Sequence, residues 1–598
     1  MKRLLVRILA GIGALALLLA AALVAVVYYS ERPPLPDALI LELDLAGEYV
    51  EAAPDDTLAR ALLRKTGRLR DIVDGLDRAA SDDRVRALVT RIGGSNLGLA
   101  KIQEIRDAVT RFRATGKPAI AWAESYGEFG PGTLGYYLAT AFDKVYLLPT
   151  GEVGATGLTF VTRFLRGALD KLEIKPRLDH RREYKNAMNV FTERAYTPAH
   201  REAVEAVMHS QFDQIVAGIA AARGIDEETV RELFDRGPYY GQEAVQAGLV
   251  DALRYRDEVY AEIRDRHEGA ELLYLERYLQ RAGRPHRKGQ TIALIYGVGA
   301  IARGESRMQG LGGGLVMGSD TVSGAFRAAI EDDDVAAILF RVDSPGGSAV
   351  ASDVIWRETQ RAREAGKPVI VSMSDVAGSG GYWVAMGADR IVAQPGTITG
   401  SIGVLAGKLV TRDFWGKLGI TYDKTQTSRH GTMYSSVYDY TPEEWERLQA
   451  ALDHIYETFK ARVAAGRHLS PERVEEIARG RIWTGAQALE LGLVDALGGM
   501  DEALKLARRE AGMEADAAIR LKVFPRPRPP LEDLLGEGRK NSEDYALVEA
   551  LQATAAELAP VLDLARRLGI TAGPEDPVLR MPWVPVPSTS SHASETRP

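Results

Sequence analysis

The sequence predicts an α/β protein in which one unit is used twice, and three observations carry that prediction. Residues of the same type recur at a separation near 250. Each half alternates strand-like apolar runs with helical patterns, the order expected of α/β layers with right-handed crossovers. Runs such as Val335–Val342 are nearly continuous in apolar residues, as in parallel strands covered on both faces.

The chain opens with Lys2, Arg3 and Arg7, followed by an uncharged run of 22 residues, Ile8–Tyr29. That length spans a bilayer, and Tyr28 and Tyr29 stand where an interfacial aromatic belt would. The basic flank predicts a cytoplasmic N-terminus, with everything after Ser30 outside. The competing reading is a cleavable signal peptide, whose apolar core would be about 7–15 residues and end in a small-x-small site. The longer run, ending Val-Val-Tyr-Tyr-Ser, favours an uncleaved anchor over residues 1–30. Glu31–Pro36 is a stiff exit.

The first repeat is assigned to residues 36–278 and the second to 291–524. Asp82–Ile92 matches Asp332–Val342, and Gly116-Lys-Pro118 matches Gly366-Lys-Pro368, both at an offset of 250. Tyr136, Asp143, Pro149, Gly154 and Gly157 match Tyr382, Asp389, Pro395, Gly400 and Gly403 at 246, and Gly248-Leu-Val-Asp251 matches Gly492-Leu-Val-Asp495 at 244. The first half thus carries four extra residues between its Gly-Lys-Pro and its Tyr. Ile102, Ile105, Val109 and Phe112 mark one helical face. Ala351–Glu364 reads as a helix stopped by Gly366 and Pro368. Thr197–Arg223 and Thr441–Arg467 read as long helices opening on Thr-Pro, a cap followed by a first-turn proline. Leu279–Gln290 reads as a polar linker, and glycine-rich Gly304–Asp320 as mobile. Residues 525–598 form a proline-rich extension whose end, Pro587–Pro598, is predicted to be disordered.

Three glycine-bearing stretches of the second half are candidates to converge. Asp343-Ser-Pro-Gly-Gly-Ser348 follows a buried strand, where α/β proteins put function, and Gly346 or Gly347 can present an N–H to an oxyanion. Pro368–Met373 reads as a strand leading to Gly378-Ser379-Gly380-Gly381, with a helical segment, Tyr382–Met386, behind it. That puts Ser379 on a tight turn at a helix N-terminus, flanked by glycines free to take positive φ. The third stretch is Thr399-Gly-Ser-Ile-Gly403. The first half has Gly93-Gly-Ser-Asn96 for the first motif and Thr133 where Ser379 would be.

A serine nucleophile needs a base. None of the nine histidines lies in a recognisable motif, although His180 and His430 fall in corresponding loops. A lysine is the other option, provided burial or neighbouring positive charge keeps it neutral. Asp343 and Asp375 read as turn caps. The absence of cysteine excludes a thiol nucleophile, thiolate zinc and disulfides, and a net charge of −7 without a basic block argues against nucleic acid.

Ser-Pro-Gly-Gly-Ser, then Gly-Ser-Gly-Gly-Tyr-Trp, then Thr-Gly-Ser-Ile-Gly-Val, at these spacings, resemble the signal peptide peptidase A (protease IV) family in its long, tandem form. The resemblance covers roughly residues 38–510. It implies a crotonase/Clp-protease-like fold in each half and a Ser/Lys dyad, with Ser379 as nucleophile. The base maps to Lys185 in Arg181-Arg-Glu-Tyr-Lys-Asn-Ala187, and the matching stretch near Arg429-His-Gly431 has no lysine. Ser401 resembles the residue that hydrogen-bonds the lysine, and Gly346 or Gly347 would line the oxyanion hole. Arg181 and Arg182 are candidates to depress the lysine pKa. The implied protein is a membrane-anchored serine endopeptidase at the inner membrane, its domains on the periplasmic or extracytoplasmic side. It would cut apolar peptides such as cleaved signal peptides as a homotetramer, without metal or cofactor. Two other readings share the motifs: an acyl-CoA enzyme of crotonase type, and a scaffold that has lost its chemistry.

Overall fold

The computed structural model describes residues 34–52, 66–94, 96–308 and 314–525. The predicted anchor, residues 1–30, and all of the C-terminal extension after Pro525 lie outside them. Among the described residues no helix is long and apolar enough to cross a membrane.

The first half runs β1 (Leu39–Leu45), α1 (Leu69–Ala80), β2 (Val85–Ile92), α2 (Leu99–Arg113), β3 (Ala119–Ala123), α3 (Thr133–Ala139) and β4 (Lys144–Leu147). It continues with β5 (Lys175–Arg181), α4 (Pro198–Arg223), β6 (Ala252–Leu253) and β7 (Glu271–Tyr274). Its six-stranded sheet has the order β6-β4-β3-β2-β1-β7 and is parallel throughout. The second half runs β8 (Gln290–Val298), α5 (Ser319–Glu331), β9 (Val335–Ser344), α6 (Ala349–Glu364), β10 (Val369–Gly378), β11 (Arg390–Ala393) and β12 (Ile398–Gly400). Then come β13 (Val404–Val410), α7 (Pro442–Arg467), β14 (Ile482–Thr484), β15 (Ala496–Leu497), α8 (Met500–Glu510) and β16 (Ile519–Phe524). The main path of its sheet is β14-β12-β10-β9-β8-β16, with β11 on the same edge of β10 as β12, beside its first part, and β15 beside β11.

The residues that repeat in the sequence are those that pin each unit together. Lys117 Nζ donates to the carbonyls of Ala79 and Asp82, and Lys367 Nζ to those of Ala329 and Asp332. Asp143 accepts the Ala119 N–H at 2.8 Å, and Asp389 the Val369 N–H at 2.8 Å. Tyr136 and Tyr382, both fully buried, donate to the carbonyls of Leu249 and Leu493. The two tyrosine bonds satisfy buried polar groups that would otherwise remain desolvated. The long helices α4 and α7 begin after Thr197 and Thr441, whose hydroxyls accept N–H bonds from their own first turns, as the Thr-Pro pattern predicts.

Three local expectations change. The strand before Ser379 does not end at Met373 but runs to Gly378, because its last residues pair with β12. The polar linker is half structured: it begins inside a helix, Leu275–Ala282, that buries Leu279, and Arg284 then pairs with Asp71 and Asp74. The stretch expected to be mobile contains strands among its described residues. Ala300–Ala302, Arg307–Met308 and Leu315–Gly318 form a small sheet, while 309–313 lie outside the described residues.

The halves are stitched by an antiparallel ribbon. β5 of the first pairs with β13 of the second over seven residues, from Val404–Arg181 to Val410–Lys175. They also cap each other's helices. Asp375 accepts N–H bonds from Gly98 and Lys101 at the start of α2, and Glu104 on α2 accepts the Met500 N–H at the start of α8. Neither helix has a side-chain cap of its own, so each depends on the other half for a contribution of about 1 kcal/mol.

Candidate active site

Ser379 follows β10 directly. Its N–H donates to the Gly400 carbonyl at 2.8 Å, and a single helical turn, Gly380–Trp383, starts behind it. The positive φ expected of the flanking glycines belongs to the serine itself, with φ 49° and ψ −112°. Such a conformation costs a non-glycine residue about 1–3 kcal/mol and must be enforced by its surroundings. Gly380 and Gly381 serve a different need, close packing. A Cβ on Gly380 would lie 2.6 Å from Ser352 Oγ, and one on Gly381 would lie 2.5 Å from the Ser344 carbonyl.

Gly346 and Gly347 lie against this turn. The Gly346 N–H donates to Ser344 Oγ at 3.1 Å, and its carbonyl accepts the Ile301 N–H. The bridge between Ile301 and Gly347 is closed by the N–H groups of Ile301 and Ser348, so that of Gly347 takes no part in it. Gly347 and Gly380 line the same cleft as Ser379. Gly380 is the first residue of the helical turn, where an N–H has no intrahelical partner. The Gly-Ser-Gly-Gly pattern contains this glycine, but nothing in it singles out the Gly380 N–H.

Lys185 enters the same cleft from the first half. The ribbon explains how: β5 ends at Arg181 opposite Val404, so the residues after β5 meet those before β13. Lys185 Nζ donates to the Ser401 carbonyl at 2.7 Å and to Ser401 Oγ at 3.0 Å. The side chain is 2% exposed, and burial pushes its pKa well below the ordinary lysine value. Arg181 and Arg182 do not supply that shift. Arg181 pairs with Asp453, and Arg182 with Glu475 at 3.0 Å. Gly480, with φ 82°, makes room for the lysine's backbone, since a Cβ there would lie 2.5 Å from the Lys185 backbone nitrogen. Nothing in the sequence around Gly480 announces this contact.

The rest of the cleft is apolar: Trp383, Val404, Leu405, Ile455 and Phe459, with the Trp383 ring tilted against that of Phe459, centroids 4.5 Å apart. His180 bonds the Arg182 carbonyl and His430 is exposed; neither lines the cleft. In the first half Thr133 is buried and donates its hydroxyl to the Gly157 carbonyl at 2.8 Å. Asp375 does cap a turn, but one of the other half, and Asp343 binds Lys101 at 2.7 Å.

The model of the family described as Peptidase family S49 matches residues 111–270 and 361–514. The chain is 30% identical to the Serine protease SPPA, chloroplastic, of Arabidopsis thaliana over 476 residues, 78% of this chain and 69% of that protein. It is 30% identical to Protease 4 of Salmonella typhi over 539 residues, 86% of this chain and 84% of that protein. Protease 4 of Haemophilus influenzae matches at 29% over 466 residues, 75% and 74% of the two chains. Among solved structures, a mutant of ClpP1 from Listeria monocytogenes aligns with 36% of this chain and 94% of its own at 15% identity. Its TM-score is 0.23, from which nothing about this fold follows.

Proposed function

From the premise that this chain belongs to peptidase family S49 and is a serine peptidase of the SppA type, we propose that Ser379 and Lys185 form its catalytic dyad. The observation that carries this is a buried lysine of the first half opening onto the same cleft as the strained serine of the second. A neutral lysine amine carries two N–H bonds and one lone pair. The lone pair is what a base uses.

Ser379 Oγ then attacks the peptide carbonyl while Lys185 takes its proton, and the resulting ammonium protonates the leaving amine. Water repeats the cycle in reverse to release the acid. The oxyanion is held by the N–H groups of Gly347 and Gly380, with Gly346 shaping the turn between them. The apolar wall of Trp383, Leu405 and Phe459 suits apolar peptides, and cleaved signal peptides are the substrate class we assign. Each half is read as a crotonase/Clp-protease-like unit. The reading extends to a single N-terminal anchor, Ile8–Tyr29, an extracytoplasmic site at the inner membrane and a homotetramer, which rest on the sequence pattern and the family resemblance.

The test is labelling with a fluorophosphonate followed by peptide mapping. Modification at Ser379, lost in Lys185→Ala, supports the dyad. Labelling elsewhere, or undiminished in Lys185→Ala, rejects it.

A further inference from the structure

A buried cluster of charge joins the two halves and takes no part in the chemistry just described. Arg341, fully buried on β9, lies 2.8 Å from Glu51 and 2.6 Å from Glu104, and donates to Ser372 Oγ at 2.8 Å. Beside it Lys101 Nζ sits 2.7 Å from Asp343 and 3.0 Å from Asp375. Glu51, Lys101 and Glu104 belong to the first half, and the others to the second. Burial works against the charge on Lys101, but the carboxylates of Asp343, Asp375 and Glu51 outweigh it and hold the pKa far above the ordinary value. Lys101 is therefore a fixed cation.

The two aspartates lie where β10 changes neighbours. β9 and β10 pair regularly as far as Val342 and Met373; the next pair is Ser344 with Ala377, so β10 carries two more residues than β9. Up to Met373 the far edge of β10 pairs with β11, and from Val376 it pairs with β12. The bulge between them swings the strand end onto β12 and delivers Ser379 to the Gly400 carbonyl. Bulges beside active sites re-aim side chains in this way. It is held by Asp343, which accepts the Val376 N–H at 3.2 Å, and by Asp375, which accepts the N–H groups of Gly98 and Lys101 at 3.2 and 3.1 Å. A Cβ on Gly98 would lie 2.4 Å from the Asp375 carboxyl carbon, so this contact has no slack.

We propose that Lys101 is a positioning residue for Ser379: by bridging Asp343 and Asp375 it locks the bulge, so the serine turn is set only when the first half is docked. The inference rests on the Ser379–Lys185 reading, and Lys101 itself does not line the cleft.

The experiment uses the full chain carrying Lys101→Met or Lys101→Arg, with kcat and KM on an apolar peptide and the rate of fluorophosphonate labelling. The expected result for Lys101→Met is at least a tenfold fall in kcat and labelling rate with KM within twofold, partly rescued in Lys101→Arg. A kcat and labelling rate within twofold of the unmodified chain, or a loss confined to KM, would overturn the proposal. If Lys101→Met does not fold, the triple variant Lys101→Met, Asp343→Asn, Asp375→Asn leaves no unpaired charge there and decides by the same criteria. Ser379→Ala keeps the two readings apart. If it stays active, the dyad is wrong whatever Lys101 does. If it is inactive while Lys101→Met is unimpaired, only the positioning role falls.

Discussion

Lys185 is tied to Ser401 by two bonds of different kinds, one to the backbone carbonyl at 2.7 Å and one to the hydroxyl at 3.0 Å. Only the second depends on the side chain. Ser401→Ala should therefore keep the lysine roughly oriented and lower kcat by about fivefold, the scale of one hydrogen bond of about 1 kcal/mol. Steady-state kinetics beside Lys185→Ala checks this. A loss equal to that of Lys185→Ala would put Ser401 in the proton transfer itself.

The strain at Ser379 separates stability from chemistry. Ser379→Ala and Ser379→Gly should both lose about 10⁶-fold in kcat, as nucleophile removal does. Glycine adopts φ near 49° freely, whereas alanine keeps the strain, so the glycine variant should be more stable by about 1 kcal/mol. Chemical denaturation of the two measures the difference. Equal stability would mean that the turn is not strained.

Gly480→Ala should disable the enzyme from outside its reacting atoms. The new Cβ would lie 2.5 Å and 2.6 Å from Lys185 N and Cα, backbone atoms that cannot rotate away. A displacement of the base on the order of 1 Å costs about 10²-fold. Gly366→Ala is the control: its φ is 75°, but nothing lies within 4 Å. It should lose about 1 kcal/mol of stability and no activity. Activity and thermal unfolding of the pair decide; a fully active Gly480→Ala refutes the packing argument.

The tandem α/β architecture was legible because the repeated residues are polar pins, Lys117 and Lys367 or Tyr136 and Tyr382, whose bonds each unit needs. Ser379 was legible from its glycines, although its own positive φ was not: that comes from β12 and the Gly346 turn, distant in sequence. Lys185 had no local signature and was reached through the family resemblance alone, because the ribbon of β5 and β13 that brings it to Ser401 is non-local. The inter-half cluster has one signal in the sequence, Arg341 inside an otherwise apolar strand. A charge in a strand buried on both faces requires a partner from elsewhere.

The pH response of Lys185 gives a test on two observables at once. Burial lowers its folded-state pKa well below 10.5, so activity should fall as pH drops through the lowered value, because the ammonium has no lone pair. Lys185→Arg should be inactive at every pH, since guanidinium stays protonated. Stability follows by linkage. Between the lowered folded pKa and the unfolded value near 10.5, the unfolded chain binds a proton that the folded chain does not. The slope of stability against pH is therefore positive in that window, and the destabilisation is complete only below the folded pKa. Lys185→Met cannot titrate, so the stability difference between it and the unmodified chain should narrow as pH rises through the window toward 10.5. Thermal unfolding of both across that range, read beside the activity profile, measures it. Parallel stability curves together with an activity profile flat toward low pH would show that Lys185 enters neither the titration nor the reaction.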